Sequence, residues 1–252
     1  MCLFFFWFWS AMKPRCQWIT ILTGAGVSAE SGLSTFRDKD GLWENHSIEE
    51  VACPYAFMRN PQLVQRFYNE RRRALLSPAV RPNPAHMAIA MLQREYRGGR
   101  VVVVTQNVDN LHERAGSTSV LHMHGELLKV SCIATGEVFD WTQDVVHGTT
   151  RCKCCNAVET LRPHIVWFGE TPFHLDEINT VMKNTDLFVA IGTSGNVYPA
   201  AGLVMHSKEN GAKTLELNLA PGENFSDFDE SIYGKASEIV PAWVDRLLQT
   251  GA

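Results

Sequence analysis

The apolar run Trp18-Ile19-Thr20-Ile21-Leu22 stops at Thr23-Gly24-Ala25-Gly26-Val27-Ser28-Ala29-Glu30-Ser31-Gly32. The run is too short for a helix and is bounded by turn residues, so it reads as a buried strand. Glycines at its end, followed by a helix start, predict bare backbone N–H groups with the helix dipole behind them. That is an anion site suited to a pyrophosphate. Gly24, Gly26 and Ala29 also match the G-x-G-x-x-G/A spacing of dinucleotide-binding turns. The spacing alone is weak, because glycine turns occur in many proteins that bind no nucleotide.

Later runs repeat the arrangement. Val101–Val104 leads into Thr105-Gln106-Asn107-Val108-Asp109-Asn110, and Leu187–Ile191 into Gly192-Thr193-Ser194-Gly195. Thr214–Leu217 leads into Asn218-Leu219-Ala220-Pro221. In open parallel sheets the ligand lies beyond the carboxyl ends of the strands, and these ends carry the donors and acceptors such a crevice needs. Helical patterns at 61–76, 84–96, 199–210 and 241–249 each open on a proline, which suits the first helical turn. Strands alternating with helices predict an α/β, doubly wound parallel sheet, Rossmann-like, spanning residues 18–128 and 163–252.

The pattern departs from a dehydrogenase. Glu44 lies at the distance of a ribose-binding acid, but the polar segment Ser34–Gly41 leaves no strand for it to cap. The segment reads instead as a loop that folds over the ligand, with Phe36 and Arg37 beside phosphate or ribose; the plainer reading is a surface loop with one buried Phe.

A net charge of −4 over 252 residues gives no general attraction to nucleic acid or acidic membranes. Residues 1–17 form an apolar extension and lead-in. Its stretch Cys2–Trp9 is too short to span a bilayer and lacks the basic flank of a secretory signal. The expectation for 1–11 is a dispensable or mis-assigned extension, with a peripheral membrane anchor as the alternative. No transmembrane span is expected, and the seven cysteines suit a reducing compartment, the cytoplasm.

Between 129 and 162 the pattern breaks into a small insert, zinc-ribbon-like, to which a helical part from about 36–80 is a candidate addition. Cys152 and Cys155 have the spacing of half a zinc site, and Cys132 lies at the distance of the other half. Its expected companion is Thr135 instead, so the set is one ligand short unless Cys154 or another group completes it. A metal-poor insert is the alternative to a structural zinc on Cys132, Cys152 and Cys155.

Gly24-Ala25-Gly26-Val27-Ser28, Phe36-Arg37-Asp38, Gln106-Asn107-Val108-Asp109, His124-Gly125, the cysteine insert, Ile165–Glu170 and Gly192-Thr193-Ser194 occur in sirtuin order. From about Ile19 onward the chain resembles a bacterial-type sirtuin, an NAD-dependent protein-lysine deacylase. The resemblance implies that acyl oxygen attacks the ribose of NAD as nicotinamide leaves, and that a base then helps a ribose hydroxyl attack the resulting imidate. His124, just before Gly125, is the implied base; His122 shares its face if the segment is a strand. The resemblance also implies that Gln106 meets the ribose and that Asn107 and Asp109 hold the nicotinamide end. Ser194 and Asn218 contact the adenosine half, and Gly24, Ala25, Gly26, Phe36, Arg37, Gly192, Thr193, Leu219, Ala220 and Ala236 are the other implied cofactor contacts. Val166 and Phe168 lie on the edge to which an acylated protein substrate adds as a strand.

Tyr68 and Arg71, three apart on a helix, share a face and together suit a carboxylate. A Tyr-x-x-Arg pair lies in this region of the sirtuin branch that removes succinyl and malonyl groups. The competing reading is a solvated basic face of Arg71, Arg72 and Arg73. Acetyl and succinyl removal is the favoured function. Mono-ADP-ribosyl transfer to protein and a non-catalytic NAD-sensing module are the alternatives.

Overall fold

A computed structural model describes residues 16–34 and 46–250. The expectations for Phe36, Arg37, Glu44 and the stretch 1–11 lie outside these residues. Along the chain, β1 (Trp18–Thr23) runs into the one-turn helix α1 (Gly26–Ala29). Helices α2 (Ile48–Val51), α3 (Pro54–Arg59), α4 (Pro61–Leu75) and α5 (Pro84–Glu95) lead to β2 (Arg100–Thr105), α6 (Leu111–Arg114) and β3 (Val120–His122). Then come β4 (Gly125–Cys132), β5 (Val138–Asp140) and β6 (Leu161–Ile165). The chain continues through α7 (Leu175–Lys183), β7 (Leu187–Ile191), α8 (Leu203–Glu209), β8 (Lys213–Asn218), β9 (Glu230–Tyr233) and α9 (Ala236–Thr250).

The main sheet has the order β3-β2-β1-β7-β8-β9, with every pairing parallel. With the three strands of the insert set aside, this is the doubly wound order in which the chain reverses direction beside β1. The period of two along each strand explains the two layers. Ile19, Ile21, Val101, Val103, Val189 and Ile191 face α5 and α9, where they meet Ile89, Leu92, Val240 and Trp243. Leu22, Val102, Val104, Phe188 and Ala190 face the other way, toward Ile178 and Met182 of α7 and Val204 of α8. A sheet buried on both faces needs continuous apolar strands, and these strands are that.

The helix starts follow local chemistry. Asn60 caps α4 by accepting from the Leu63 N–H at 3.1 Å, and Asn83 caps α5 by accepting from Ala85, each just before a proline. Two expected helices differ. The segment from Pro199 begins with a 3-10 turn before α8, and α9 starts at Ala236 with Pro241 inside it. Apolar positions 240, 243, 244 and 247 bury one continuous face, which outweighs the hydrogen bond that Pro241 removes.

Strands β4, β5 and β6 form a separate antiparallel sheet. Helices α2 to α4 pack on its Leu127 and Ile165 and on Trp167, while Val130, Val145 and Leu161 close a small core around Cys132 and Cys152. Among the described residues no helix is long and apolar enough to cross a membrane.

Candidate active site

The ends of β1 and β7 are packed glycine on glycine. A Cβ on Gly24 would lie 2.7 Å from the Gly192 carbonyl oxygen, and one on Gly26 would lie 2.8 Å from the Gly192 Cα. Gly192 itself has φ +61. The expected outward N–H groups of both glycines turn inward instead: Gly24 donates to Ile191 O at 3.0 Å and Gly26 to Gly192 O at 2.9 Å. Among the described residues, no backbone acceptor takes the Ala25 N–H. The glycines therefore serve close packing of the turn on β7, and Ala25 is the donor left at the mouth. Glu30 accepts from the Ser237 N–H and hydroxyl at 3.0 and 2.7 Å, which brings the start of α9, with Ala236, beside this turn.

Beneath the mouth lies a buried polar network that the sequence reading caught only in part. The Ser28 hydroxyl donates to Asp109 Oδ2 at 3.0 Å and accepts from Asn107 Nδ2 at 3.1 Å. His86 Nε2 lies 3.3 Å from the same hydroxyl. The Asn83 N–H donates to His86 Nδ1, so the proton sits on Nε2, facing Ser28. Burial holds His86 down at about 4 and so keeps it neutral, while burial raises the Asp109 carboxyl against the pull of its Leu111 N–H and Ser28 bonds. Ser28 stands in the glycine-turn motif but is given no role there, and His86 lies in a helix outside any motif; only the fold brings the two to Asn107.

The two candidate histidines part company here. His122 ends β3 and lies 2.9 Å from Glu113 Oε1. Burial depresses it, but Glu113 outweighs burial and raises its pKa. His124 stands past the strand end, its Nδ1 3.1 Å from the Gln106 carbonyl oxygen. A carbonyl only accepts, so Nδ1 carries the proton and Nε2 keeps its lone pair. Burial lowers its pKa, with the Gln106 bond opposing.

The neighbouring strand ends are tied together. Gln106 Nε2 donates to Thr193 Oγ1 at 3.0 Å, and Asn218 Nδ2 donates to Thr193 O at 2.8 Å. Ser194 is exposed and donates to Asn196 Oδ1, and Leu219 and Ala220 are exposed just past β8. Buried Glu216, which the sequence reading did not single out, fixes this loop by accepting from the Gly222 N–H and from the Ser231 and Tyr233 hydroxyls.

Tyr68 and Arg71 do share a face of α4. The Tyr68 phenol is fully buried and accepts from Trp167 Nε1 at 2.9 Å; burial pushes its pKa up, and the Arg71 charge is near enough to oppose that. The Arg71 guanidinium lies 3.6 Å from the Phe67 ring centroid and donates to Phe67 O. The arginine run is not one solvated face, since Arg72 is fully buried while Arg73 is exposed and pairs with Asp144 at 2.6 Å. The segment after β6 differs from a plain open edge. The N–H groups of Val166, Trp167 and Phe168 go to His124 O, Glu170 Oε2 and Ala52 O, so an added strand would use carbonyls of this segment.

The cysteine set is complete. The sulfurs of Cys132, Cys152, Cys154 and Cys155 all lie within 4.8 Å of one another. A tetrahedral zinc with Zn–S near 2.3 Å needs sulfurs roughly 3.8 Å apart, and Cys132 and Cys155 stand at 3.8 Å. Four thiols of this spacing fit a closed structural zinc site. Cys154 supplies the fourth sulfur of the cluster, and Thr135, at the expected position, instead places its hydroxyl 3.1 Å from the Cys154 sulfur.

A doubly wound sheet with a glycine-packed switch point, a buried amide–carboxylate network and a basic histidine at its mouth defines a dinucleotide-dependent enzyme. The comparisons with known proteins narrow this further. A Sir2 family model matches residues 24–199, and the chain belongs to that family. NAD-dependent protein deacylase SIR2rp3 of Trypanosoma brucei brucei (strain 927/4 GUTat10.1) is 67% identical over 230 residues, 91% of this chain and 94% of its own. The NAD-dependent protein deacylase of Escherichia coli (strain K12) is 56% identical over 237 residues, 94% of this chain and 83% of its own. A solved Sir2 homolog–NAD complex aligns with a TM-score of 0.84 at 37% identity, covering 95% of this chain and 92% of that one. Sir2Af2 bound to a myristoylated histone peptide aligns with a TM-score of 0.73 at 35% identity, covering 94% and 93%.

Proposed function

We infer that this Sir2-family protein is an NAD-dependent protein deacylase, and we propose that it removes succinyl as well as acetyl groups from lysine. NAD supplies the electrophilic ribose: its bond to nicotinamide breaks, and the acyl group ends on ADP-ribose. His124, with Nδ1 donating to Gln106, has Nε2 free of a proton to accept one from a ribose hydroxyl. Asn107 and Asp109, oriented through Ser28, offer a donor and an acceptor to the carboxamide of nicotinamide. The packed glycines seat the turn against the end of β7, beside the strand ends that would receive the dinucleotide. Gln106, Thr193 and Asn218 then line the way from ribose to adenosine. Cys132, Cys152, Cys154 and Cys155 would hold zinc, which would join the pieces of an insert whose own core is small. The free cysteines support a reducing compartment, and we assign the protein to the cytoplasm.

The succinyl reading is carried by Tyr68 and Arg71 side by side on α4, one buried against Trp167 and the other held over Phe67. A phenol and a guanidinium on one face suit a distal carboxylate and have no evident use in ADP-ribosyl transfer to protein. Matched succinyl-lysine and acetyl-lysine peptides, with O-acyl-ADP-ribose followed by mass spectrometry, test it. NAD-dependent product from the succinyl peptide, lost in Arg71→Met while acetyl product persists, supports the assignment. Product from the acetyl peptide alone overturns it.

A further inference from the structure

Helix α4 does two jobs from two adjacent stripes. Gln65, Asn69 and Arg72, spaced four and three apart, form a buried polar stripe. Each reaches backbone in the antiparallel sheet or its loops. Gln65 Nε2 donates to Leu161 O at 2.7 Å. Asn69 pairs with Val145 in both directions, donating to its carbonyl and accepting from its N–H at 2.9 Å each. Arg72 donates to Leu127 O and Gln143 O at 3.2 Å each, and to Asn69 Oδ1 at 2.8 Å. Arg71, one residue on from Glu70, is turned about 100° from Arg72 and lies in the stripe with Phe67 and Tyr68.

This connection is specific rather than merely adhesive. Arg72 is fully buried, none of these contacts is a carboxylate, and burial lowers its pKa to about 10. A buried cation depends on the hydrogen bonds it makes, here at Nε and Nη1, since Nη2 is buried without a partner among the described residues. Two of its three acceptors are backbone carbonyls of the insert and the third is Asn69 Oδ1, itself tied to Val145, so helix and insert hold one relative position. Val145, clamped by Asn69, packs its side chain in the core that contains Cys132 and Cys152. The cysteine insert thus reaches the acyl-recognition helix through a short chain of direct contacts.

We propose that Asn69 and Arg72 are positioning residues that lock α4 onto the insert backbone at 127 and 143–145 and thereby hold Arg71 in place for the distal carboxylate of the acyl group. This rests on reading Tyr68 and Arg71 as the acyl-recognition pair. The test is a cycle of Asn69→Ala, Arg71→Met and the double variant. It compares KM for matched succinyl and acetyl peptides, KM for NAD, and zinc content per chain. Asn69→Ala is expected to raise KM for the succinyl peptide about tenfold relative to the acetyl peptide, as a small misplacement of a binding group does. KM for NAD and zinc content should stay unchanged, and Asn69→Ala should not alter the ratio further in the Arg71→Met background. Equal losses on both peptides, or an unchanged ratio while Arg71→Met still destroys succinyl preference, would overturn the coupling and leave the acyl reading standing. An unchanged ratio in Arg71→Met would remove the acyl reading and the coupling with it. If Asn69→Ala does not fold, Gln65→Met, which breaks the link to Leu161, is read by the same ratio and the same outcomes.

Discussion

A Cβ on Gly26 would stand 2.8 Å from the Cα of Gly192, so the first turn and the end of β7 can approach only because both residues lack side chains. The obstacle is backbone on both sides and cannot swing away. Gly192→Ala adds an unfavourable left-handed conformation, about 1–2 kcal/mol on top of the clash. Gly26→Ala and Gly192→Ala should each lower the melting temperature and weaken NAD binding by tenfold or more, on the order of 1.4 kcal/mol. Calorimetric titration with NAD beside a thermal melt checks this; wild-type affinity in both variants would show that the turn has room.

His124→Ala should cut acyl transfer by about 10²–10⁴-fold while the melting curve stays close to wild type. The pH dependence has a definite sign. A base must be neutral to act, and burial pushes the His124 pKa below its ordinary value of 6.5. The base therefore remains competent as pH falls to 6.5, and kcat/KM should drop only below that value. A fall centred above pH 7 would place the titrating group elsewhere.

Ser28→Ala removes the hydroxyl that joins Asn107, Asp109 and His86. Asp109 Oδ2 and Asn107 Nδ2 would each lose a buried partner, costing about 1–3 kcal/mol apiece before any rearrangement. KM for NAD should rise and inhibition by added nicotinamide should weaken, while the binding of acyl peptide changes little. Steady-state kinetics with NAD and nicotinamide varied separately decides it.

Zinc content by atomic emission should be one per chain. Cys154→Ser should lower it as far as Cys152→Ser does, because all four sulfurs stand within one cluster. Thr135→Ala should retain the metal. Chelation should lower the melting temperature, since the small core around Cys132 and Cys152 has few other apolar contacts.

Four of the main-sheet strands and the long helices α4 and α5 were legible because their patterns are local: runs of Val and Ile for a doubly covered sheet, Asn-Pro or an equivalent at a helix start. The start of α9 was not, because a proline is a start signal only when no apolar face continues behind it, and Val240 of that face sits just before Pro241. Asn107, Asp109 and His124 could be singled out from their place at strand ends and from the family pattern. The role of Ser28, though it stands in the pattern, and the presence of His86 could not, since the bonds that make them part of the site span separations of 58 to 81 residues.

The sequence by itself determined the sheet class, the glycine turn, the resemblance to sirtuins and the residue types of the candidate NAD and acyl sites. These rest on period, spacing and side-chain chemistry, which are properties of the chain. Only the tertiary structure decided that Gly24 and Gly26 turn their N–H groups inward, that Cys154 completes the sulfur cluster, and that three successive arginines meet three different environments. Each depends on what lies opposite a residue after folding: a strand end, a thiol or a backbone carbonyl. A helix step of about 100° turns Arg71 toward Phe67 and Tyr68 and Arg72 toward the insert, and the sequence in which they adjoin does not say what lies opposite either one.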